Sequence, residues 1–155
     1  MNTTSIISII RVQEVHLDEI LDIAEKNNLS YWSREDYKSE IKRADSYCLA
    51  AQTVGKETIG FLVSPLITTE NCAELYNIAI KDLYKRKKIG EILLSHLTNY
   101  CSINNLTRIN LEVRESNRPA LAFYSKLDFK TIGTRKNFYT QPVENALTMT
   151  KYLKK

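Results

Sequence analysis

The chain has 155 residues, with 22 Lys and Arg against 18 Asp and Glu, so its formal net charge at pH 7 is +4. A hydrophobic content of 43% and a charged content of 26% are typical of a folded protein and argue against disorder. This length predicts one domain, residues 1–155, and the small basic excess is only weak support for a polyanionic partner. The apolar run at residues 6–12 is too short for a signal peptide or a membrane span, so we predict a cytoplasmic protein without membrane contact.

The cysteines and histidines exclude several kinds of site. Cys48, Cys72 and Cys101 are odd in number and far apart, which argues against a disulfide framework and against zinc. We expect them to pack as small apolar thiols. His16 and His96 are too few for a histidine-rich metal centre, so we assign no metal.

The first half of the chain predicts four strands and two helices. The run at residues 6–12 is rich in β-branched residues and predicts a strand, and the apolar residues from Leu17 to Ala24 recur at helical spacing and predict a helix. Ser33 with Asp36 resembles a capping box for a second helix that runs towards Ile41. The predicted strands that follow are residues 47–53, 58–64 and 73–81, the first two joined as a hairpin at Gly55.

The second half predicts alternating helices and strands. A helical face is predicted for Ile89, Ile92, Leu93, His96, Leu97 and Tyr100. Residues 108–114 alternate as a strand that places Glu112 on its less apolar face. A helix runs from near Asn117, with Pro119 in its first turn, to about Leu127, and residues 129–133 and 147–152 complete a mixed sheet. The pattern predicts an α/β fold of the mixed, α+β type.

Four consecutive basic residues, residues 85–88, precede the helix that begins at Ile89. Taken alone, such a run is a solvated surface or a nonspecific nucleic-acid patch. A helix amino terminus, however, offers unpaired N–H groups and a positive dipole end to a phosphate. The strand before the loop and the helix after it favour a diphosphate site, although neither a Walker loop nor G-x-G-x-x-G is present.

Four segments together carry a resemblance to a known family: residues 75–80, Ile89-Gly90 with the loop before it, residues 110–117 and residues 122–129. They resemble the GCN5-related N-acetyltransferase (GNAT) superfamily, and within it the ribosomal-protein-alanine N-acetyltransferase type. The resemblance extends from Trp32 to about Tyr139 and implies a central, mostly antiparallel mixed sheet flanked by helices.

The resemblance also implies a cosubstrate and roles for particular residues. The cosubstrate is acetyl-CoA. Glu112 is implied as the general base and Tyr124 as the general acid. The residues implied to bind the cofactor are Ile78, Ala79 and Ile80 for the pantetheine arm, Lys85, Arg86, Lys87, Lys88, Ile89 and Gly90 for the pyrophosphate, and Asn117.

Two positions depart from the family's pattern. Lys88 replaces the first glycine of the phosphate loop Q/R-x-x-G-x-G/A, which here begins with Lys85, and Asp128 replaces a glycine before Phe129. If position 88 needs a positive φ, a lysine there costs on the order of 1 kcal/mol. If it does not, the ammonium adds a charge-assisted contact to the phosphates.

The resemblance implies direct acetylation of the N-terminal alanine of a ribosomal protein, small-subunit protein eighteen, with nucleic acid met only through ribosome contact. Trp32 and Tyr139 are candidates to shape the peptide groove. A small amine is an alternative acceptor, for which Glu70, Glu74 and Glu115 would supply carboxylates. A second alternative is a non-catalytic module that binds CoA or nucleic acid through its basic loop.

Overall fold

The structure, a computed structural model, describes residues 6–29 and 31–154. Its strands are β1 (Ser8–Arg11), β2 (Ser46–Gln52), β3 (Thr58–Ile67), β4 (Cys72–Leu75), β5 (Asn77–Ile80), β6 (Arg108–Arg114), β7 (Lys130–Thr140) and β8 (Val143–Tyr152). Its helices are α1 (Leu17–Lys26), α2 (Arg34–Lys42), α3 (Ile89–Ile103) and α4 (Arg118–Lys126). The predicted capping box of α2 is confirmed, because Ser33 Oγ accepts the Asp36 N–H at 3.2 Å and the Asp36 carboxylate accepts the Ser33 N–H at 2.7 Å.

The described strands form one sheet in the order β1-β2-β3-β4-β6-β8-β7, with β5 also paired to β3. Among these strands only β4 and β6 run parallel. The mixed, mostly antiparallel sheet flanked by helices is therefore confirmed. No helix within residues 6–29 and 31–154 combines the length and the apolar character that a bilayer crossing requires.

The centre of the sheet is covered on both faces. Side chains of β2 and β3 alternate between two buried clusters, one beneath α1 and α2 and the other beneath α3 and α4. Phe61 packs in the first cluster and Leu62 in the second. This double burial explains why β2 and β3 read as continuous apolar runs in the sequence. The three cysteines are buried and free, as expected.

The predicted strand at residues 73–81 is wrong as one continuous element. It is divided into β4 and β5 at Tyr76, and its register against β3 moves by one residue between the Leu66–Ala73 and Val63–Asn77 pairs. One extra residue in a strand is a β-bulge, which bends the strand and ends its pairing. Beyond the Leu75–Leu111 pair β5 stays with β3 while β6 continues with β8, so the sheet opens between β5 and β6.

Two other predictions are corrected. His96 is exposed, and the buried face of α3 consists of Ile89, Leu93, Leu94, Leu97 and Cys101. The predicted strands at 129–133 and 147–152 are too short, because β7 and β8 extend towards each other to form a long hairpin. Most of β7 is exposed, so its sequence lacks the apolar alternation on which strand prediction depends.

Candidate active site

Two cavities lie along the opening between β5 and β6. One, of about 590 Å³, is bordered by β5, the basic loop, the start of α3 and α4. The other, of about 780 Å³, is bordered by the ends of β4 and β6, the segment after α1 and the distal half of β7. We call them the loop-side cavity and the hairpin-side cleft. The bulge at Tyr76 creates both, because it separates strands that would otherwise pair.

Most of the predicted cofactor residues line the loop-side cavity. They are Ile78, Ala79, Ile80, Lys85, Arg86, Lys88, Ile89 and Gly90. Tyr124 lines the same cavity, whereas Lys87 and Asn117 do not. Asn117 caps α4 instead, since its Oδ1 accepts the N–H of Ala120 at 3.2 Å. The roles of Lys87 and Asn117 towards a cofactor stay predictions.

The start of α3 borders this cavity. Lys88 is the N-cap of α3, and its side chain makes no hydrogen bond to the helix. The Ile92 N–H donates to the Lys88 carbonyl at 3.1 Å. The N–H groups of the turn before Ile92 have no partner within the helix. Gly90 lets α4 approach this turn, because a Cβ there would lie 3.0 Å from Cζ of Phe123.

The backbone of the basic loop is left-handed at two non-glycine positions. Arg86 has φ 63° and Lys88 has φ 65°. The structure therefore meets the condition under which a lysine at position 88 is strained. Asp128, the other departure from the family's glycines, has φ 71°. None of the four glycines has a positive φ, so the left-handed positions carry side chains instead.

Replacing Lys88 by glycine should relieve this strain. Lys87 has no positive φ and is the matched control, because glycine there only loosens the unfolded chain and the loop. We expect Lys88→Gly to be more stable than Lys87→Gly by about 1–2 kcal/mol, the cost of a left-handed conformation for a residue with a Cβ. Urea unfolding of both variants measures the difference. Equal stabilities would show that Lys88 is not strained.

The charges around the loop-side cavity are partly paired. Lys85 Nζ lies 2.9 Å from Asp82 Oδ1, and this contact lowers the pKa of Asp82. Lys126 on α4 lies 3.9 Å from Glu91 on α3. No ion pair to Arg86 or Lys88 occurs among the described residues, and both of these cations line the cavity.

Tyr124 is the most buried titratable group of the loop-side cavity. Its burial raises its pKa above the ordinary value of 10.0, and the neighbouring Tyr139 and Tyr31 raise it further. Within the described residues its hydroxyl has no hydrogen-bond partner on the protein. Tyr31 and Tyr139 line the hairpin-side cleft, so the group that they influence lies near that cleft as well as in the loop-side cavity. The Tyr124 hydroxyl is thus a protonated donor in the loop-side cavity.

The hairpin-side cleft has aromatic walls. They are formed by Tyr31, Trp32, Tyr76, Phe138 and Tyr139. Tyr31 and Tyr76 are more than half exposed, and large apolar side chains left open in one cleft are typical of a binding surface. Burial raises the pKa of Tyr139 to about 12, and the guanidinium carbon of Arg114 lies 4.2 Å from the centre of its ring.

Glu112 lies in this cleft and is held by Arg135. The arginine Nη1 is 3.0 Å from both carboxylate oxygens. Glu74 also lines the cleft and accepts a hydrogen bond from Asn110 at 3.1 Å. Arg114, at the end of β6, also lines the cleft and is bound to Glu144 at 3.2 Å. The cleft therefore contains equal numbers of carboxylates and guanidiniums among its described lining residues.

Other expectations about this cleft have mixed outcomes. Trp32 and Tyr139 do line it, as suggested for the groove, whereas Glu70 and Glu115 are exposed outside it. Sequence reasoning missed Arg135, which reaches the cleft from β7, and Arg114, which lies at the end of β6. Their only signal in the sequence was that both lie inside segments that resemble the family.

Comparisons with known proteins agree with this geometry. The model of the acetyltransferase (GNAT) family matches residues 17–129. The [ribosomal protein bS18]-alanine N-acetyltransferase of Haemophilus influenzae is 31% identical, over 96% of this chain and 99% of the relative. The enzyme of the same name from Salmonella typhimurium is 28% identical, over 96% of both chains. The crystal structure of the Escherichia coli ribosomal-protein-S18-alanine N-acetyltransferase has a TM-score of 0.86 at 26% identity, covering 96% of this chain and 95% of that one.

The fold is that of an acyltransferase. The chain belongs to the acetyltransferase (GNAT) family. Members of this family use acetyl-CoA as the acetyl donor. The loop-side cavity combines the amino terminus of a helix, the cations of Arg86 and Lys88, which have no ion pair among the described residues, and the apolar surface of Ile78 and Ile80, and these are chemical features that suit that donor.

Proposed function

We propose that this chain is an acetyl-CoA-dependent N-α-acetyltransferase that acts in the cytoplasm on the N-terminal alanine of ribosomal protein bS18. The observation that carries the proposal is that the candidate base and the candidate acid line two different cavities. Glu112 lines the hairpin-side cleft, and the protonated Tyr124 lines the loop-side cavity. The relatives named for this activity support the choice of acceptor.

In the proposed reaction, one domain binds both substrates and transfers the acetyl group directly. The pyrophosphate of acetyl-CoA is held by Lys85 to Gly90 and the first turn of α3, and the pantetheine arm lies along β5. Acetyl-CoA supplies an activated thioester. Glu112 takes a proton from the acceptor's amine, directly or through one water. Tyr124 gives its proton to the departing thiolate. Backbone N–H groups of β5 polarise the thioester carbonyl.

The acidity of the acceptor favours an α-amine. An α-amine has a pKa near 8, so freeing its lone pair at pH 7 costs about 1.4 kcal/mol, whereas a lysine amine costs about 4 to 5 kcal/mol. A single carboxylate that is already paired with an arginine is suited to the smaller of these demands. The open aromatic cleft also provides length for the residues that follow the amine.

The charge balance of the cleft argues against a polyamine. Such an acceptor carries several positive charges and needs an excess of carboxylates around it. Among the described lining residues only the Glu74 carboxylate has no guanidinium partner, because Glu112 is paired with Arg135. Two of the three glutamates suggested for such a site lie outside the cleft. The surface of the cleft is therefore better matched to a peptide.

A panel of acceptors tests the proposal. The protein is mixed with acetyl-CoA and with bS18, peptides beginning Ala, Ser or Met, a blocked peptide with an internal lysine, or spermidine, and mass shifts are recorded. We expect acetylation of bS18 and of the peptide beginning with Ala. Transfer only to the blocked lysine peptide or to spermidine would contradict the α-amine proposal. Salt-sensitive nucleic-acid binding without thiol release would favour the non-catalytic alternative.

A further inference from the structure

Arg135 forms an ion pair with the Glu112 carboxylate, which we assign as the base. Its Nη1 lies 3.0 Å from both Oε1 and Oε2 of Glu112. A donor at equal distance from the two oxygens lies in the notch between them and uses the lone pairs that point into it. A water or an amine approaching Glu112 from this side meets the guanidinium first.

The shape of β7 places Arg135 there. The pairing of β7 with β8 shifts between Arg135 and Tyr139, and within this shift Asn137 has φ 52° and donates its N–H to Asn145 Oδ1 at 3.0 Å. The irregularity directs Arg135, Phe138 and Tyr139 into one cleft. The guanidinium carbon of Arg135 lies 4.7 Å from the centre of the Phe138 ring, which supports it when the contact with Glu112 is broken.

The ion pair between Arg135 and Glu112 is weak enough to be broken when a substrate binds. The side chain of Arg135 is 58% exposed and that of Glu112 is 26% exposed. Exposed pairs of this kind contribute about 0.2–1 kcal/mol, whereas breaking a buried pair costs about 3–5 kcal/mol. The ammonium of an incoming acceptor can therefore replace Arg135 at the carboxylate at little cost.

We propose that Arg135 guards Glu112 while the cleft contains only water and leaves it when the acceptor's amine arrives. Arg135 is then a positioning residue, and the inference rests on the proposed role of Glu112 as the base. Without the guard, Glu112 takes a proton from a water whose oxygen bonds to the acetyl carbon. The carbon–sulfur bond breaks, the thiolate takes a proton from Tyr124, and acetate and CoA are released without an acceptor.

Hydrolysis of acetyl-CoA in the absence of any acceptor tests the guard. Thiol release is measured for wild type, Arg135→Met, Arg135→Gln and Lys136→Met. The protein's own cysteines are buried and contribute little signal. We expect both Arg135 variants to hydrolyse acetyl-CoA on the order of tenfold faster than wild type, which is less than the 10²- to 10⁴-fold that a fully positioned general base contributes. Lys136, the next residue of β7, lies outside the lining of the cleft, and its variant should match wild type.

A second substitution assigns the effect to Glu112. Adding Glu112→Gln to Arg135→Met should return hydrolysis to the wild-type rate. Unchanged hydrolysis in the folded Arg135 variants would overturn the guard, and so would faster hydrolysis that persists in the double variant, since it reports a general opening of the cleft. If wild type acetylates no amine in the panel while the Arg135 variants hydrolyse acetyl-CoA through Glu112, the acceptor assignment fails and the guard stands.

Discussion

Glu112→Gln should lower kcat for acetyl transfer by about 10²- to 10⁴-fold, the range that a positioned general base contributes. Glutamine keeps the size of the side chain and its place on β6 but cannot take the amine's proton. Glu112 is partly exposed, and its partner Arg135 reaches water, so we expect little change in stability. Initial rates with the peptide that begins with Ala, together with urea unfolding, measure both effects.

Glu115→Gln is the matched control for this variant. Glu115 lies three residues further along the chain, is exposed, and does not line the hairpin-side cleft. It should keep wild-type kcat. Wild-type turnover in Glu112→Gln would remove Glu112 from the reaction. Equal losses in both variants would point to a general effect of charge.

Tyr124→Phe should lower kcat by about 10²-fold or more while the affinity for acetyl-CoA stays near that of wild type. The substitution removes only the hydroxyl, which has no hydrogen-bond partner on the protein among the described residues. The ring keeps its packing against Phe123 and Phe129 at centroid distances of 5.3 and 5.4 Å. The fold should therefore be intact, and single-turnover rates and binding titrations separate chemistry from binding.

Two other tyrosines serve as controls for this variant. Tyr100 stacks on Tyr47 away from both cavities, so Tyr100→Phe should keep wild-type kcat. Tyr139 faces the hairpin-side cleft with Glu112 and is the competing proton donor. Loss of turnover in Tyr139→Phe with normal turnover in Tyr124→Phe would transfer the role of acid to Tyr139.

The raised pKa of Tyr124 also predicts the pH dependence of kcat. A raised pKa means that the folded protein keeps this proton at pH values at which an ordinary tyrosine, with a pKa of 10.0, has lost half of it. The donor is therefore intact below pH 10, and activity that depends on it is lost only as the pH rises through the higher value. We expect no fall of kcat due to Tyr124 up to pH 10. A fall centred well below pH 10 in wild type and absent in Tyr124→Phe would contradict this.

Local patterns were sufficient for much of the fold. The capping box at Ser33, the alternation around Glu112 and the cap at Asn117 are each produced by neighbours within a few residues, and all three are present in the structure. The face of α3 was misjudged because His96 is four residues from both Ile92 and Tyr100 and so fits helical spacing, whereas which side of the helix is buried depends on the sheet beneath.

The cofactor side of the site was easier to predict than the acceptor side. The basic loop and β5 are contiguous in sequence with α3, so one segment contains most of the loop-side cavity. The hairpin-side cleft collects Tyr31, Glu74, Glu112 and Arg135 from four distant segments. Short sequence patterns contain no information on which of these side chains meet.

By itself, the sequence determined the class of the fold, the family and the position of the basic loop before a helix, because these depend on local periodicity and on contiguous motifs. Only the tertiary structure decided that the strand breaks at Tyr76, that Lys88 is left-handed and that Arg135 holds Glu112. The physical reason for the break and for the ion pair is that both depend on pairing between segments far apart in the chain. The bulge follows from register against β3, and the arginine reaches the glutamate through the pairing of β8 with both β6 and β7.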